Sequence, residues 1–176
     1  MPRIRYQVAM SLDGYIAGPK GEADWITMDP AIDFEGLFAQ FDTFLMGRRT
    51  FEVAGAGGSP GARTFVFSRT LQPGHHPGVT IVRDVTAETV APIRAQAVKD
   101  IWLFGGGTLF QSFLDAGLVE TVEVSVMPVL LGGGVPLVSH PARRAMLTLA
   151  SHRAYATGIV SLEYAVKPGQ TRVKRR

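Results

Sequence analysis

Short apolar runs and helical spacings alternate along most of the chain. Residues 4–9 alternate and then turn apolar, which predicts a strand. Residues 11–30 break the rhythm: they are rich in Gly, Asp and Pro, and so long a connection is expected to be functional or mobile. Phe34, Leu37, Phe38 and Phe41 then recur at helical spacing. They predict a helix over 32–41 with Asp33 at its start, where a carboxylate suits the helix N-terminus. Residues 43–46 read as a short buried strand, 48–53 as a short helix behind Gly47, and 55–61 as a glycine-rich loop.

The alternation continues through the middle of the chain. Strands are predicted at 64–67, 79–82 and 101–104. A helix is predicted over 86–98, with Thr86 or Thr89 as cap and Pro92 tolerable only near the first turn. A second spans 108–116, where Leu109, Phe110, Phe113 and Leu114 share one side and Gly117 is the stop. Val122, Val124 and Val126 alternate with Thr121, Glu123 and Ser125, a half-exposed strand, and 145–154 and 159–166 read as a closing pair of strands. The triple glycine 132–134 precedes Val135-Pro136 rather than a helix and reads as a hairpin or bulge loop. The expected fold is an α/β three-layer sandwich, a mostly parallel central sheet with an antiparallel C-terminal edge.

Composition narrows the class. A chain of 176 residues, 46% hydrophobic and 19% charged, suits one globular domain over 1–166 with a tail at 167–176. No apolar run reaches the roughly 18 residues of a membrane-spanning helix, and the start of the chain lacks the pattern of a signal peptide. The absence of cysteine excludes disulfides, thiolate metal sites and a cysteine nucleophile, and fits a cytoplasmic location. The net charge of +3 is carried by the tail, which holds five of the 18 basic residues and no acidic one. The body has 13 basic against 15 acidic residues, so no basic face points to nucleic acid.

Three segments carry candidate chemistry. In LFGGGTLFQSF, residues 103–113, three glycines stand between a strand and a helix, where free backbone N–H groups and the helix dipole favour an anion. The pattern is neither G-x-G-x-x-G nor a P-loop, and alone it is an even choice between anion loop and plain turn. MGRRTFE, residues 46–52, sets two arginines and a threonine at another strand end; VFSRTL, 66–71, sets Ser68 and Arg69 at a third. Arginine forks suit phosphate groups, and open α/β sheets bind ligands beyond the carboxyl ends of their strands.

The ordered set resembles the dihydrofolate reductase superfamily, on the branch of the riboflavin-biosynthesis reductase domain. AMSLDGYIAG resembles that branch's opening strand and loop, PVLLGGGVPLV its late loop, and the three segments above its cofactor-contacting segments; the likeness runs from about Ile4 to Val166. The resemblance implies an NADPH-dependent reductase working as a homodimer. By position it implies Gly47, Arg48, Arg49 and Thr50 on the pyrophosphate and 2′-phosphate, and Ser68 and Arg69 by the adenosine ribose phosphate. It implies Gly105, Gly106, Gly107 and Thr108 over the pyrophosphate and nicotinamide side, and Ala9, Ile16 and Ala17 around the nicotinamide. Leu109 and Phe110 stand between core and ligand contact, with core favoured.

The substrate side is less defined. Asp33 and Asp13 are candidate catalytic groups; Asp33 serves equally as a helix cap, and Asp13 as a turn former with Gly14. Trp25, Asp29, Glu35 and Phe38 are candidate substrate contacts, Trp25 either as a lid aromatic or as loop packing. Hydride transfer asks little of side chains, because the cofactor holds the reactive carbon. No metal set is expected: His75 and His76 are adjacent loop residues, and His140 and His152 stand alone. The expected reaction reduces a C=N or C=O bond of a small heterocyclic or ribosylaminopyrimidine-like substrate. The rivals are a true dihydrofolate reductase, a non-catalytic nucleotide-binding regulator, and, more weakly, nucleic-acid binding through the tail.

Overall fold

The first strand, β1 (Ile4–Ser11), is flanked on both sides by parallel partners in a computed structural model that describes residues 1–56, 61–74, 76–139 and 144–167. A short β2 (Tyr15–Ala17) and α1 (Phe34–Phe38) follow, then β3 (Phe41–Gly47), α2 (Arg48–Ala54), β4 (Arg63–Phe67), β5 (Val79–Val82), α3 (Ala87–Gln96), β6 (Asp100–Gly105) and α4 (Gly107–Asp115). The chain closes with β7 (Thr121–Met127), β8 (Val135–Pro136), β9 (Leu147–Ala154) and β10 (Val160–Val166). Eight strands form one sheet in the order β5-β4-β3-β6-β1-β7-β10-β9. Pairs from β5 to β7 are parallel; β10 runs antiparallel to β7 and β9. That is the predicted mostly parallel sheet with an antiparallel C-terminal edge.

Side-chain alternation divides β1 between the two faces of the sheet. Ile4 and Tyr6 pack with Leu45, Phe65, Ile101 and Leu103 under Val90 and Ile93 of α3 and Leu109, Phe110 and Phe113 of α4. Phe110 stacks on the Tyr6 ring at 3.8 Å, so it and Leu109 belong to the core. The other layer joins Phe41, Phe44, Met46, Val66 and Trp102 to Leu37 and Phe38 of α1 and Phe51 of α2. Burial pushes the Tyr6 hydroxyl pKa far up, because a phenolate there would lose its hydration.

Three expectations change. The helix predicted over 32–41 is only five residues, and Phe41 opens β3 instead. Phe41 sits 4.9 Å from Trp102 with the Arg5 guanidinium 4.8 Å over its ring. That packing fixes Phe41 in the sheet, and a three- or four-residue spacing cannot reveal it. The long loop also contains a strand: β2 pairs antiparallel with β8, directly behind glycines 132–134. Pro92 lies inside α3 rather than in its first turn.

Candidate active site

Glycines close two neighbouring strands and open two helices. Gly47 ends β3 and N-caps α2; Gly105 ends β6 and Gly106 N-caps α4. Neither helix start has a side-chain cap bond, whereas Asp33 caps α1 and Thr86 forms a capping box with Thr89 on α3. Met46 pairs with Gly105 and Gly47 with Phe67, so the ends of β4, β3 and β6 stand side by side. A Cβ on Gly47 would lie 3.9 Å from the Gly105 carbonyl oxygen, and one on Gly106 3.7 Å from Thr50 Oγ1. Gly105 and Gly106 take φ of +152° and +77°, conformations that a side chain disfavours. Gly47, Thr50, Gly105 and Gly106 thus form one backbone cradle with uncapped N–H groups.

Other predicted cofactor residues surround it. Arg48 is 3.7 Å from Glu52, and Arg49 is exposed. Gly107 is wedged against β8, and Thr108 Oγ1 lies 3.4 Å from Ser139 Oγ. Ser68 is buried, and its Oγ accepts from the amides of Thr70 and Leu71 at 3.2 and 3.0 Å. The 81% exposed Arg69 side chain donates to Asp84 at 2.6 and 3.0 Å.

The loop after β1 is fastened rather than free. Asp13 accepts from Ser11 Oγ at 2.6 Å and from the amides of Leu131 and Gly132 at 3.1 and 2.7 Å. These bonds, that from Ser11 foremost, hold its carboxyl below the usual carboxylate range. Ile16 and Ala17 lie in β2, and a Cβ on Gly134 would overlap the Ala17 carbonyl oxygen. Trp25 donates to the Glu22 carbonyl at 3.1 Å. Asp29, 3% exposed, accepts from the Ala31 amide at 2.8 Å and from the amide and hydroxyl of Thr157 at 3.2 and 2.8 Å. It ties the loop to the β9–β10 turn. The Ala31 amide, then Thr157, lowers its pKa. A depressed folded-state pKa gives stability that is full above the unfolded value of about 4 and is lost as pH falls through the folded value. Melting temperature should therefore drop on acidification below about pH 4, and less steeply in Asp29→Asn; parallel slopes would show that Asp29 contributes nothing.

Beside Ala9 opens a cavity of about 530 Å³. Its floor is the sheet face carrying Gln7, Ala9, Glu123, Ser125, Ser161 and Glu163; Ile26, Met28, Ile32, Phe34 and Leu37 form an apolar wall. Ser151 and Arg153 of β9 and Tyr155 edge it. Glu123 is held by Arg5 through two 2.7 Å bonds and by Thr121 at 2.8 Å. Burial works against the Arg5 charge, but Glu123 and Asp100 outweigh it and hold the guanidinium pKa above its ordinary value. Gln7 Oε1 is buried with no hydrogen-bond partner among the described residues.

Of the substrate-side candidates, Asp33 lines this cavity while capping α1 through Oδ1, 2.8 Å from the Gly36 amide. Asp13, Trp25, Asp29, Glu35 and Phe38 are not among its lining residues, and Phe38 packs on Trp102 at 5.0 Å. Gln7, Glu163 and Arg153 were not candidates from sequence. Alternation shows that Glu123 and Ser125 point away from the valines, but not that α1 leaves that face open. Among the described residues no His, Asp and Glu cluster could hold a metal, and no helix is long and apolar enough to cross a membrane. His76 packs edge-on to Phe51 and His152 lies in β9; His75, His140 and most of the basic tail fall outside the described residues.

Sheet order and glycine-built strand ends define a dihydrofolate reductase-like α/β protein, as a solved structure from Shewanella sp. PV-4 illustrates (TM-score 0.79, 26% identity, 94% of this chain and 99% of that one). The profile of the family described as RibD C-terminal domain matches residues 2–161, and the chain belongs to that family. It is similar to the Bacillus subtilis protein YyaP, at 33% identity over 92% of this chain and 94% of YyaP. It is also similar to the riboflavin biosynthesis protein RibD of Corynebacterium ammoniagenes, at 23% identity over 80% of this chain but only 47% of RibD. The Thermotoga maritima diaminohydroxyphosphoribosylaminopyrimidine deaminase/5-amino-6-(5-phosphoribosylamino)uracil reductase shares the fold (TM-score 0.70, 17% identity, 94% of this chain and 57% of that one).

Proposed function

We propose that the protein is an NADPH-dependent reductase of a small heterocyclic or ribosylaminopyrimidine-like substrate. The observation that carries this reading is the cradle of Gly47, Thr50, Gly105 and Gly106, with two uncapped helix starts, in a fold that also holds a cavity lined by Ala9. Family membership and the name of the Thermotoga relative support it.

The residues present fit a dinucleotide. Backbone N–H groups at Gly106 and Gly107 suit the pyrophosphate, with Thr108 and Thr50 beside them; Arg48 and Arg49, at the start of α2, would supply cationic charge for phosphate. Ser68 and Arg69 stand at the adjoining strand end, on the adenosine side. Ala9, with Ile16 and Ala17 of β2, takes the nicotinamide side. When bound, NADPH supplies the hydride. The chain's own part is to orient an acceptor along the floor of Gln7, Ser125, Ser161 and Glu163 and to exclude water with Ile26, Met28, Phe34 and Leu37. Asp33 and Glu163 are cavity carboxylates whose second oxygens could accept from the acceptor's N–H groups.

NADPH at about 100 times its Kd should stabilise the fold by about 2.7 kcal/mol, read as a rise in melting temperature. NADPH should bind about tenfold or more tighter than NADH, the worth of one charge-assisted phosphate contact, and Arg48→Ala or Arg69→Ala should narrow that gap. No shift with either nucleotide sinks the cofactor reading. NADPH oxidation with dihydrofolate tests the true dihydrofolate reductase alternative. The homodimer and the cytoplasmic location belong to the same proposal. β9 is an edge strand exposed along its length, with Leu147 and Leu149 open on it, and such an edge is a ready pairing surface. Light scattering that finds a monomer would remove the dimer.

A further inference from the structure

Two arginines leave the sheet at one place. β4 and β5 run parallel with Phe67 beside Val82, and the Ser68 amide donates to the Val82 carbonyl at 2.9 Å. The chain therefore emerges from the two strands in step, as Ser68-Arg69 from β4 and Arg83-Asp84 from β5. The Arg83 guanidinium turns back across this end, with Nη1 3.4 Å from the Arg69 carbonyl oxygen. Arg69, Arg83 and Asp84 are all exposed.

The two arginines differ in what already holds them. Arg69 gives Nε and Nη2 to one oxygen of Asp84, at 3.0 and 2.6 Å, so its charge is matched and one edge of its fork is occupied. Asp84 is itself held in place, since its carbonyl accepts from Thr89 Oγ1 at 2.7 Å. Arg48, on α2, likewise faces Glu52. Arg83 has no carboxylate partner among the described residues, and all 15 Asp and Glu of the chain are among them. Its bond to a carbonyl leaves its charge unmatched. Beside it, Ser68 Oγ accepts from the amides of Thr70 and Leu71, so its own proton is left for Thr70 Oγ1, 3.3 Å away, or for a ligand. This strand end thus carries two cations against one anion, with a hydroxyl donor between.

We propose that Arg83, at the end of β5, sets the preference for a 2′-phosphorylated cofactor, and that Asp84 limits what Arg69 adds. A phosphate monoester brings about −1.5 to −2 charges at neutral pH. At Arg69 it must share the guanidinium with Asp84; at Arg83 it displaces no carboxylate and finds a free fork. The proposal rests on the NADPH reading and deepens it. The discrimination moves from the arginine beside Ser68 to one that no motif marks, because a lone arginine behind an apolar run is what any solvated strand end shows.

The test titrates NADPH, NADH, 2′-AMP and 5′-AMP into the whole chain and into Arg83→Ala, Arg69→Ala and Asp84→Asn. Arg83→Ala should melt with the parent and lose about tenfold in affinity for NADPH and 2′-AMP, the worth of one charge-assisted bond to phosphate, with NADH and 5′-AMP unchanged. Arg83→Lys, which keeps the charge, should keep most of the preference. Arg69→Ala should lose about threefold or less on the same two ligands, and Asp84→Asn should gain about two- to threefold, the scale of an exposed ion pair. All these effects should shrink in high salt. A larger loss from Arg69→Ala than from Arg83→Ala, weaker NADPH binding in Asp84→Asn, or an Arg83→Ala loss that falls equally on NADH and 5′-AMP overturns the proposal while the cofactor reading stands. If the parent itself binds NADPH and NADH alike, there is no preference to set and the NADPH reading falls with the proposal; if it binds neither, the reductase reading fails on its own evidence.

Discussion

Gly107→Ala should lower the melting temperature by several degrees and weaken NADPH binding by at least about tenfold, the worth of about 1.4 kcal/mol. Gly107 is the first residue of α4, and its φ is not positive, so backbone strain is not the cause. The cause is space. An added Cβ would sit 2.5 Å from the Pro136 carbonyl oxygen and 3.3 Å from that of Leu137, both backbone atoms that cannot rotate away. β8 cannot retreat easily either. It pairs with β2, the Leu137 amide donates to the Gly14 carbonyl at 2.9 Å, and Asp13 holds the preceding turn through Leu131 and Gly132. Either α4 shifts, breaking the cradle at Gly105 and Gly106, or the β2–β8 pair opens. Overpacking of this kind costs about 1–3 kcal/mol, which in a chain of this size lowers the melting temperature by roughly 2–12 °C. Thermal melts with and without NADPH check it. An alanine variant that melts and binds like the parent would show that β8 does not brace the cofactor loop.

That brace shows where sequence reading stopped. Strand and helix alternation was legible because the parallel strands are short apolar or alternating segments and α4 carries a clear apolar stripe. The three glycine- and arginine-bearing segments were legible because they follow those strands directly. The β2–β8 pair was not, because Tyr15-Ile16-Ala17 and Val135-Pro136 are too short to show a period of two. Their pairing depends on a glycine at 134 that lets the Ala17 backbone approach. Asp13 and Asp29 drew notice as carboxylates near the expected pocket, and neither lines the cavity. Their oxygens are committed to amides and hydroxyls more than a hundred residues away, at Leu131, Gly132 and Thr157, and no local pattern encodes such a partner. The cavity floor was half legible. The alternation of Glu123 and Ser125 with valines gave the polar face, while its opening depends on α1 ending at Phe38.

Arg5→Met is expected to be the most destabilising single change, at about 3–5 kcal/mol, because it strands a buried charge. Arg5 and Glu123 side chains are 9% and 10% exposed and meet through two parallel 2.7 Å bonds on neighbouring strands. Arg5 also donates to Gln40 at 2.7 Å and to Asp100 at 3.4 Å, and covers the Phe41 ring. Removing the guanidinium leaves Glu123 with one Thr121 hydroxyl in place of two charge-assisted bonds, a buried carboxylate without its counter-ion. The double variant Arg5→Met/Glu123→Leu removes both charges, and buried pairs replaced in this way are often neutral or stabilising. Urea denaturation of the two single variants and the double variant should give a coupling energy of at least about 2 kcal/mol, within the range for residues in contact. Additive losses would mean that the pair is only packing. Ligand titration on the double variant would then separate the two duties of Glu123: a stable double variant that fails to bind the heterocycle places the carboxylate in the site as well as in the sheet.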